Sequence, residues 1–162
     1  MGADEPGAAH YHHYGSFVSP AISAGTFTGT LTFAGAFTEE DAGVNAFPTL
    51  YVYLWHSDDT IGTIIYSGTS ATEATTAYPA AVVTYFNAVA ITSFTAVATD
   101  RIVLEVETYD NNTDTDEYYQ GFRFAGLAAS GYDSYISFDL TAVSTAPLTQ
   151  GASFGSANMM WI

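Results

Sequence analysis

Residues 26–33, with the sequence TFTGTLTF, alternate threonine with mostly apolar residues, and this period of two limits the fold more than any other feature. In an extended strand, such alternation puts the threonines on one face and the apolar side chains on the other. Residues that favour helices are scarce, since the chain has no lysine, while threonine, valine, isoleucine, tyrosine and phenylalanine are abundant. The chain is therefore predicted to fold from strands.

Residues 49–56, TLYVYLWH, form a second alternating segment and give the chain an aromatic face. Leu50, Val52 and Leu54 share one side of the predicted strand, which we assign to the core. The opposite side carries Tyr51, Tyr53 and Trp55. Because a contiguous aromatic patch is too apolar to leave in water, we interpret this side as an interface and expect a homo-oligomer, with a trimer favoured.

Short segments with strand character recur along the rest of the chain, separated by polar turns such as residues 57–60 and 111–116. About eight strands without a convincing helix predict an all-β fold, an antiparallel β-sandwich. The predicted strands after the first two cover residues 61–67, 82–86, 90–97, 101–110, 118–124 and 134–140.

The two ends of the chain lack the alternation of the central region. Residues 1–24 are rich in glycine, alanine, histidine and tyrosine, and residues 142–162 pass through Pro147 and a glycine- and serine-rich stretch. We therefore predict an N-terminal arm (1–24), one β-sandwich (25–141) and a C-terminal arm (142–162).

The strongly negative net charge of the chain argues against some classes of binding partner. Among 162 residues, 17 are acidic and 2 are basic, which gives a formal net charge of −15 at pH 7. Such a surface repels phosphate backbones and anionic lipids, so we expect neither a nucleic acid nor a membrane as partner. Self-repulsion should make folding stability rise with salt, Mg²⁺ or Ca²⁺. The absence of cysteine excludes disulfides and thiolate metal sites.

Five stretches together resemble a family of jelly-roll virion proteins from tailed bacteriophages. They are GTFTGTLTFAGAF, NAFPTLYVYLWHSDDTIGTIIYSG, TDRIVLEVETYDNNTDTDEYY, FRFAG and SYISFDL. The resemblance extends over residues 25–140, and Thr99 stands where the family usually has a glycine before the aspartate. It implies a jelly-roll topology and a non-enzymatic role as a head decoration, fibre or minor capsid component that contacts other virion proteins. It also implies a location in the virion, and assembly in the host cytoplasm fits an N-terminus without signal-peptide features.

The alternative function is a carbohydrate-binding module that attaches a virion or an enzyme to surface glycans, because aromatic rings on a β-sandwich also stack on sugars. No G-x-S-x-G, zinc or phosphate-loop motif is present in the sequence, and we expect no enzymatic activity and no required cofactor. Glu105 and Glu107, about 7 Å apart on one strand face, have the carboxylate spacing of inverting glycosidases. Paired acids are nevertheless common in an acidic protein.

Arg101 is one of only two fixed cations, and it stands at the start of a predicted strand that carries acids on its outward side. We predict a structural salt bridge of Arg101 with Asp100 and Glu105, which would brace the beginning of the strand. The alternative is a contact between Arg101 and a neighbouring subunit.

Two groups of residues have the chemistry of metal ligands. His10 and His12 would face the same way on an extended chain, although packing of these rings onto a partner is the simpler interpretation. Acidic turns are usually just solvated, but if a structural Ca²⁺ is held, we expect it in the loop that contains Asp110, Asp114 and Asp116.

The last four residues are apolar, which is unusual for a chain end. They are Met159, Met160, Trp161 and Ile162. Burial of such side chains is favourable at about 25 cal/mol per Å² of apolar area. We therefore predict that this tail either returns as a last strand of its own sheet or docks as an interface on a neighbouring subunit, and the second alternative is favoured.

Overall fold

The structure is a computed structural model that describes residues 10–39, 43–76, 82–110, 120–123, 134–143 and 157–160. The described residues form ten β-strands and no helix. The strands are β1 (His10–Val18), β2 (Gly25–Glu39), β3 (Ala46–Trp55), β4 (Ile61–Thr69), β5 (Val83–Ala90), β6 (Phe94–Ala96), β7 (Arg101–Asp110), β8 (Gln120–Arg123), β9 (Tyr135–Val143) and β10 (Ala157–Met160). The all-β prediction is confirmed.

Two antiparallel sheets enclose one hydrophobic core, as in a β-sandwich. The first sheet has four strands in the order β1-β7-β3-β4. The second has six strands, with the order β10-β9-β2-β5 and with β6 and β8 also paired to β2. Within the described part of the chain, no helix is long and apolar enough to cross a membrane.

The core follows from the alternation of apolar residues in the long strands. Leu50, Val52 and Leu54 of β3 are fully buried, as the sequence predicted. They pack against apolar side chains of the facing sheet, including Leu31 and Phe33 of β2. Strand β7 supplies the neighbouring core positions, which are Ile102, Leu104 and Val106.

The backbone conformation and close surroundings of Gly29 explain why a glycine interrupts the threonine repeat of β2. Its φ angle is +153°, a conformation that residues with a Cβ rarely adopt. A Cβ at this position would collide with the carbonyl oxygen of Asp139, a backbone atom of β9. The carbonyl oxygen of Gly29 also accepts a hydrogen bond from the backbone N–H of Ile91 at 3.1 Å. Glycine therefore allows β2 and β9 to approach closely.

Strand β1 lies within residues 1–24, which the sequence analysis assigned to an arm. It pairs along its length with β7 and forms one edge of the four-stranded sheet. The pairing register shifts between His13 and Gly15, so the strand contains a bulge. A bulge reverses the side-chain alternation partway along a strand. This reversal removed the period of two by which a strand is recognised in a sequence.

Strand β10 lies within residues 142–162, the segment assigned to the C-terminal arm. Met159 and Met160 pair in register with Phe138 and Ser137 of β9 in the same chain. At Met159 and Met160 the tail thus returns to the chain's own sheet, and docking on a neighbouring subunit stays a prediction. Because β2 occupies the other side of β9, the added strand satisfies backbone groups at an edge that would otherwise be unpaired. Trp161 and Ile162 lie outside the described residues.

Candidate binding face of the four-stranded sheet

The outward side of the four-stranded sheet, called the outer face below, is built on the aromatic positions of β3. Tyr51, Tyr53 and Trp55 lie opposite the core positions of the strand, as the sequence predicted. Their rings follow one another along the strand, with centroid distances of 5.4 Å between Tyr51 and Tyr53 and 6.3 Å between Tyr53 and Trp55. Tyr53 is buried, whereas Tyr51 and Trp55 are half-buried.

One end of the outer face is apolar, and we call it the apolar patch. Cross-strand pairing brings its members together, since Tyr53 lies beside Val103 and Ile64, and Trp55 lies beside Ile61. The exposed members on the edge strands are Val18 at 56 %, Ile61 at 57 % and Ile64 at 46 %. The apolar patch consists of Val18, Tyr53, Trp55, Ile61, Ile64 and Val103.

The other end of the outer face contains a cavity of about 340 Å³, called the acidic cleft below. Glu105 and Glu107 stand on β7 in register with Tyr51 and Thr49 of β3. The next strand adds hydroxyl groups, and Thr49 Oγ1 donates a hydrogen bond to Thr69 Oγ1 at 3.0 Å. The cleft is lined by Tyr11, Thr49, Leu50, Tyr51, Ser67, Gly68, Thr69, Glu105 and Glu107.

Tyr53 joins the apolar patch to the acidic cleft. Its hydroxyl donates a hydrogen bond to Glu105 Oε1 at 3.0 Å. Burial raises the pKa of Tyr53 to about 12, and the hydrogen bond to Glu105 and the charge of that carboxylate add to the shift. The phenol is therefore neutral at physiological pH and holds the Glu105 carboxylate in place.

His13 is the residue of this face that the sequence analysis missed. It lies in register with Glu107, and its Nδ1 is 3.4 Å from Glu107 Oε1. Ligand atoms of His13, Glu105 and Glu107 all lie within 4.8 Å of one another. The carboxylates considered as a glycosidase pair are therefore brought together with an imidazole. The only sequence signal was an aromatic and histidine-rich terminus, because the contact depends on pairing between β1 and β7.

The predicted salt bridge between Asp100, Arg101 and Glu105 is replaced by other contacts within the described residues. Asp100 is fully buried, and its Oδ1 lies 3.1 Å from His56 Nδ1. Its other oxygen, Oδ2, accepts a hydrogen bond from the backbone N–H of Val97 at 2.9 Å. Asp100 is enclosed before the start of β7, whereas the Arg101 side chain is exposed on the outer face.

Arg101 instead ties the end of β1 to β7. Its Nη1 donates a hydrogen bond to the carbonyl oxygen of Ser19 at 2.8 Å. Ser19 Oγ accepts a further hydrogen bond from the backbone N–H of Ile102 at 2.8 Å. The guanidinium therefore braces the beginning of β7, as expected, but through a backbone carbonyl rather than through Glu105.

The structure describes only some of the residues that the sequence analysis considered as metal ligands. Asp110 is buried at the end of β7, whereas Asp114 and Asp116 lie outside the described residues, so the calcium hypothesis stays a prediction. His12 is in register with the buried Thr108, and alternation places it on the opposite side of β1 from His13. His12 is therefore separate from the His13 group, and the hypothesis of a metal shared by His10 and His12 stays a prediction.

Comparison of the chain with protein-family models, with curated protein sequences and with solved structures gives no match. The resemblance to phage virion proteins thus remains an expectation from the sequence. The fold and site define a two-sheet antiparallel β-sandwich whose four-stranded sheet carries an apolar patch and an acidic cleft side by side.

Proposed function

We propose that this chain is a non-enzymatic structural protein of a tailed-phage particle, a jelly-roll β-sandwich that makes protein contacts through its apolar patch. The observation that carries the contact role is the group of exposed aliphatic side chains around Trp55, namely Val18, Ile61 and Ile64. Exposed apolar patches rimmed by polar groups mark interaction surfaces. The location in a virion rests on the sequence resemblance over residues 25–140.

The path of the chain supports the jelly-roll proposal. Strand β1 belongs to the four-stranded sheet, β2 to the six-stranded sheet, β3 and β4 to the first again, and β5 and β6 to the second. The chain then returns to the four-stranded sheet with β7 and ends in the six-stranded sheet. Repeated crossing between two antiparallel sheets is characteristic of Greek-key and jelly-roll folds.

A second copy of the chain is the proposed occupant of the apolar patch, in a trimer. The chain as a whole carries 17 acidic and 2 basic residues, so two copies repel each other over most orientations. The apolar patch contains no acidic side chain, and the exposed Arg101 lies in register with Trp55 at its border. Contact through this surface therefore buries no acidic side chain of the patch itself, and Asp58 and Asp59 of the adjoining turn lie at its edge.

Light scattering coupled to size exclusion tests the contact role on the full chain. We expect a mass of three chains for the unchanged protein and of one chain for the double variant Ile61→Lys/Ile64→Lys. Val97→Lys is the matched control, because Val97 is equally exposed at 57 % but follows β6 of the other sheet. A monomer at high concentration, or dissociation by the control alone, would contradict the proposal. A mass-spectrometric inventory of purified particles tests the virion location.

Glycan binding is a second candidate, favoured by the acidic cleft. Tyr11 and Tyr51 line it together with the hydroxyls of Thr49, Ser67 and Thr69 and the two glutamates. Aromatic faces and convergent hydrogen-bonding groups are what a sugar requires. A glycan array should show binding that Tyr51→Ala removes and that Tyr135→Ala, on the other sheet, leaves unchanged. Uniformly negative arrays would exclude this function.

A further inference from the structure

The side chains of His13, Glu105 and Glu107 form a compact group on the outer face, and its two glutamates also line the acidic cleft. Their ligand atoms lie within 4.8 Å of one another, close enough to share one ion. We propose that this group binds a divalent first-row transition metal, with Zn²⁺ as the best fit. The proposal stands independently of the virion function, which uses the apolar patch, and it shares Glu105 and Glu107 with the candidate glycan site.

The bulge of β1 creates the group. His13 is in register with Glu107 and Ser16 with Glu105, while the register shift between His13 and Gly15 absorbs the extra residue. An edge strand without the bulge would place positions 13 and 16 on opposite sides of the sheet, because side chains alternate. The bulge puts both beside the two glutamates of β7.

The donor atoms select the class of metal. One imidazole nitrogen and two carboxylates suit Zn²⁺, which binds three or four such ligands at short distances. Ca²⁺ and Mg²⁺ prefer sets made of oxygen alone, so an imidazole in the set argues against them. Three protein ligands also leave a fourth position, and Glu105 and Glu107 both line the adjoining acidic cleft, from which an oxygen ligand can approach.

Hydrogen bonds behind the group orient two of its members. Ser16 Oγ lies 3.3 Å from His13 Nε2, and Tyr53 donates to Glu105 Oε1 at 3.0 Å. With the proton on Nε2 directed at Ser16, the lone pair of His13 Nδ1 faces Glu107 Oε1, 3.4 Å away. Metal-binding histidines and carboxylates are typically held by such outer contacts.

Repulsion between the two carboxylates is a further reason to expect a bound cation. Glu105 and Glu107 occupy neighbouring positions on one face in a chain with a net charge of −15. The guanidinium of Arg101, on the same strand, donates to the Ser19 carbonyl instead. A bound divalent cation would offset the repulsion between the two carboxylates.

Calorimetric titration of the full, chelator-treated chain with ZnCl₂ tests the proposal. We expect one equivalent to bind, with the affinity lowered at least ~100-fold by His13→Gln or Glu107→Gln and about 10-fold by Ser16→Ala. Asp58→Asn is the control for charge, because it removes an exposed carboxylate from the turn between β3 and β4. His12→Gln is the control for loss of a neighbouring imidazole.

Nuclear magnetic resonance of the unchanged chain keeps the test decisive if a variant does not fold. Zn²⁺ should shift the His13 ring signals at one equivalent, and a large excess of Ca²⁺ should not reverse the shift. Absence of Zn²⁺ binding, equal loss in the two control variants, or full displacement by Ca²⁺ would each overturn the proposal.

Discussion

The outward faces of the two sheets differ in their side chains, although both sheets direct apolar residues into the core. The outward side of β2 carries a row of threonines whose hydroxyls bond within the sheet. Thr26 Oγ1 lies 2.9 Å from Thr95 Oγ1, and Thr32 Oγ1 accepts a hydrogen bond from the backbone N–H of Ala88 at 3.0 Å. The complete row is Thr26, Thr28, Thr30 and Thr32. We call this side the threonine face.

The outer face of the four-stranded sheet has rings and carboxylates at the equivalent positions. Tyr51 and Tyr53 alternate along β3 where β2 has threonines, and Glu105 and Glu107 stand beside them on β7. Small hydroxyls bond to neighbouring strands on the threonine face, whereas large rings beside acids line the acidic cleft. The period of two decides which residues enter the core, and the chemistry of the alternate positions decides what each sheet can bind.

The largest expected loss of stability comes from a substitution in β2, the strand that carries the threonine face. Gly29→Ala places a Cβ against the Asp139 carbonyl and at a φ of +153°, so β9 must move away from β2. We expect the free energy of unfolding to fall by at least about 3 kcal/mol, measured by urea denaturation. Thr28→Ala is the neighbouring control, with an expected change within about 0.5 kcal/mol. Equal, small losses in both variants would show that the close approach is unimportant.

A smaller loss is expected at the apolar end of the four-stranded sheet. His56→Ala leaves the buried Asp100 carboxylate without the imidazole that now lies 3.1 Å away. Asp100 Oδ1 makes no hydrogen bond of good geometry to this imidazole, so the expected loss in the free energy of unfolding is about 2 kcal/mol, from the same denaturation measurement. Adding Asp100→Asn should recover part of the loss, because the uncompensated charge is then removed. A double variant less stable than His56→Ala would contradict this assignment.

Tyr53→Phe removes the hydrogen bond that joins the apolar patch to the acidic cleft. We expect a loss of about 1.5 kcal/mol in the free energy of unfolding, at the lower end of the range for a hydrogen bond to a charged group because Glu105 is only half-buried. Tyr135→Phe on the other sheet is the control, since Tyr135 is exposed, and should change stability by less than about 0.5 kcal/mol. A Tyr53→Phe protein as stable as the control would mean that the bond to Glu105 contributes nothing.

Stability at alkaline pH should also distinguish Tyr53→Phe from the unchanged chain. The pKa of Tyr53 is raised from 10.0 to about 12, so its ionisation is disfavoured in the folded chain. Stability from this group is fully present below pH 10 and is lost as the pH rises toward 12. Unfolding midpoints between these values should fall less steeply for Tyr53→Phe than for the unchanged chain. Some slope will remain, because burial also raises the pKa of Tyr85 to about 12.

The smallest expected effect concerns salt. The net charge of −15 predicts that added NaCl raises the melting temperature of the unchanged chain. Glu107→Gln in the acidic cleft should reduce this response more than Asp139→Asn beside the threonine face, by about 0.5 kcal/mol. Thermal melts at low and high ionic strength measure the difference. Identical responses would show that the two faces do not differ in charge repulsion.

The regular strands could be predicted from the sequence because the alternation of apolar and polar residues is visible within each strand. Leu50, Val52 and Leu54 were assigned to the core and Tyr51 to the opposite face from eight residues alone, and the structure has them there. Strand β1 was missed because its bulge reverses the alternation near His13. Local patterns therefore revealed straight strands and concealed an interrupted one.

The candidate sites were harder to predict because they depend on pairing between distant segments. His13 meets Glu107 only through the register of β1 with β7, and His56 meets Asp100 only because the chain folds back beyond β3. Sequence neighbours suggested Arg101 as the partner of Asp100 instead. The structure instead places Asp100 Oδ1 beside His56 Nδ1, while the exposed Arg101 side chain donates to the Ser19 carbonyl.

Strand β2 has a consequence for the synthesis of the chain. The strands that pair with it, β5, β6, β8 and β9, all follow it, and the last of these ends at Val143. At roughly 5–20 residues per second, a ribosome needs several seconds to supply them. Until Val83 is made β2 has neither neighbour, and a nascent chain stopped before Tyr135 still lacks β9, which leaves one half-apolar edge of β2 unpaired and open to other nascent chains. Emergence of β9, rather than of the first strands, is therefore the event that protects β2 from aggregation.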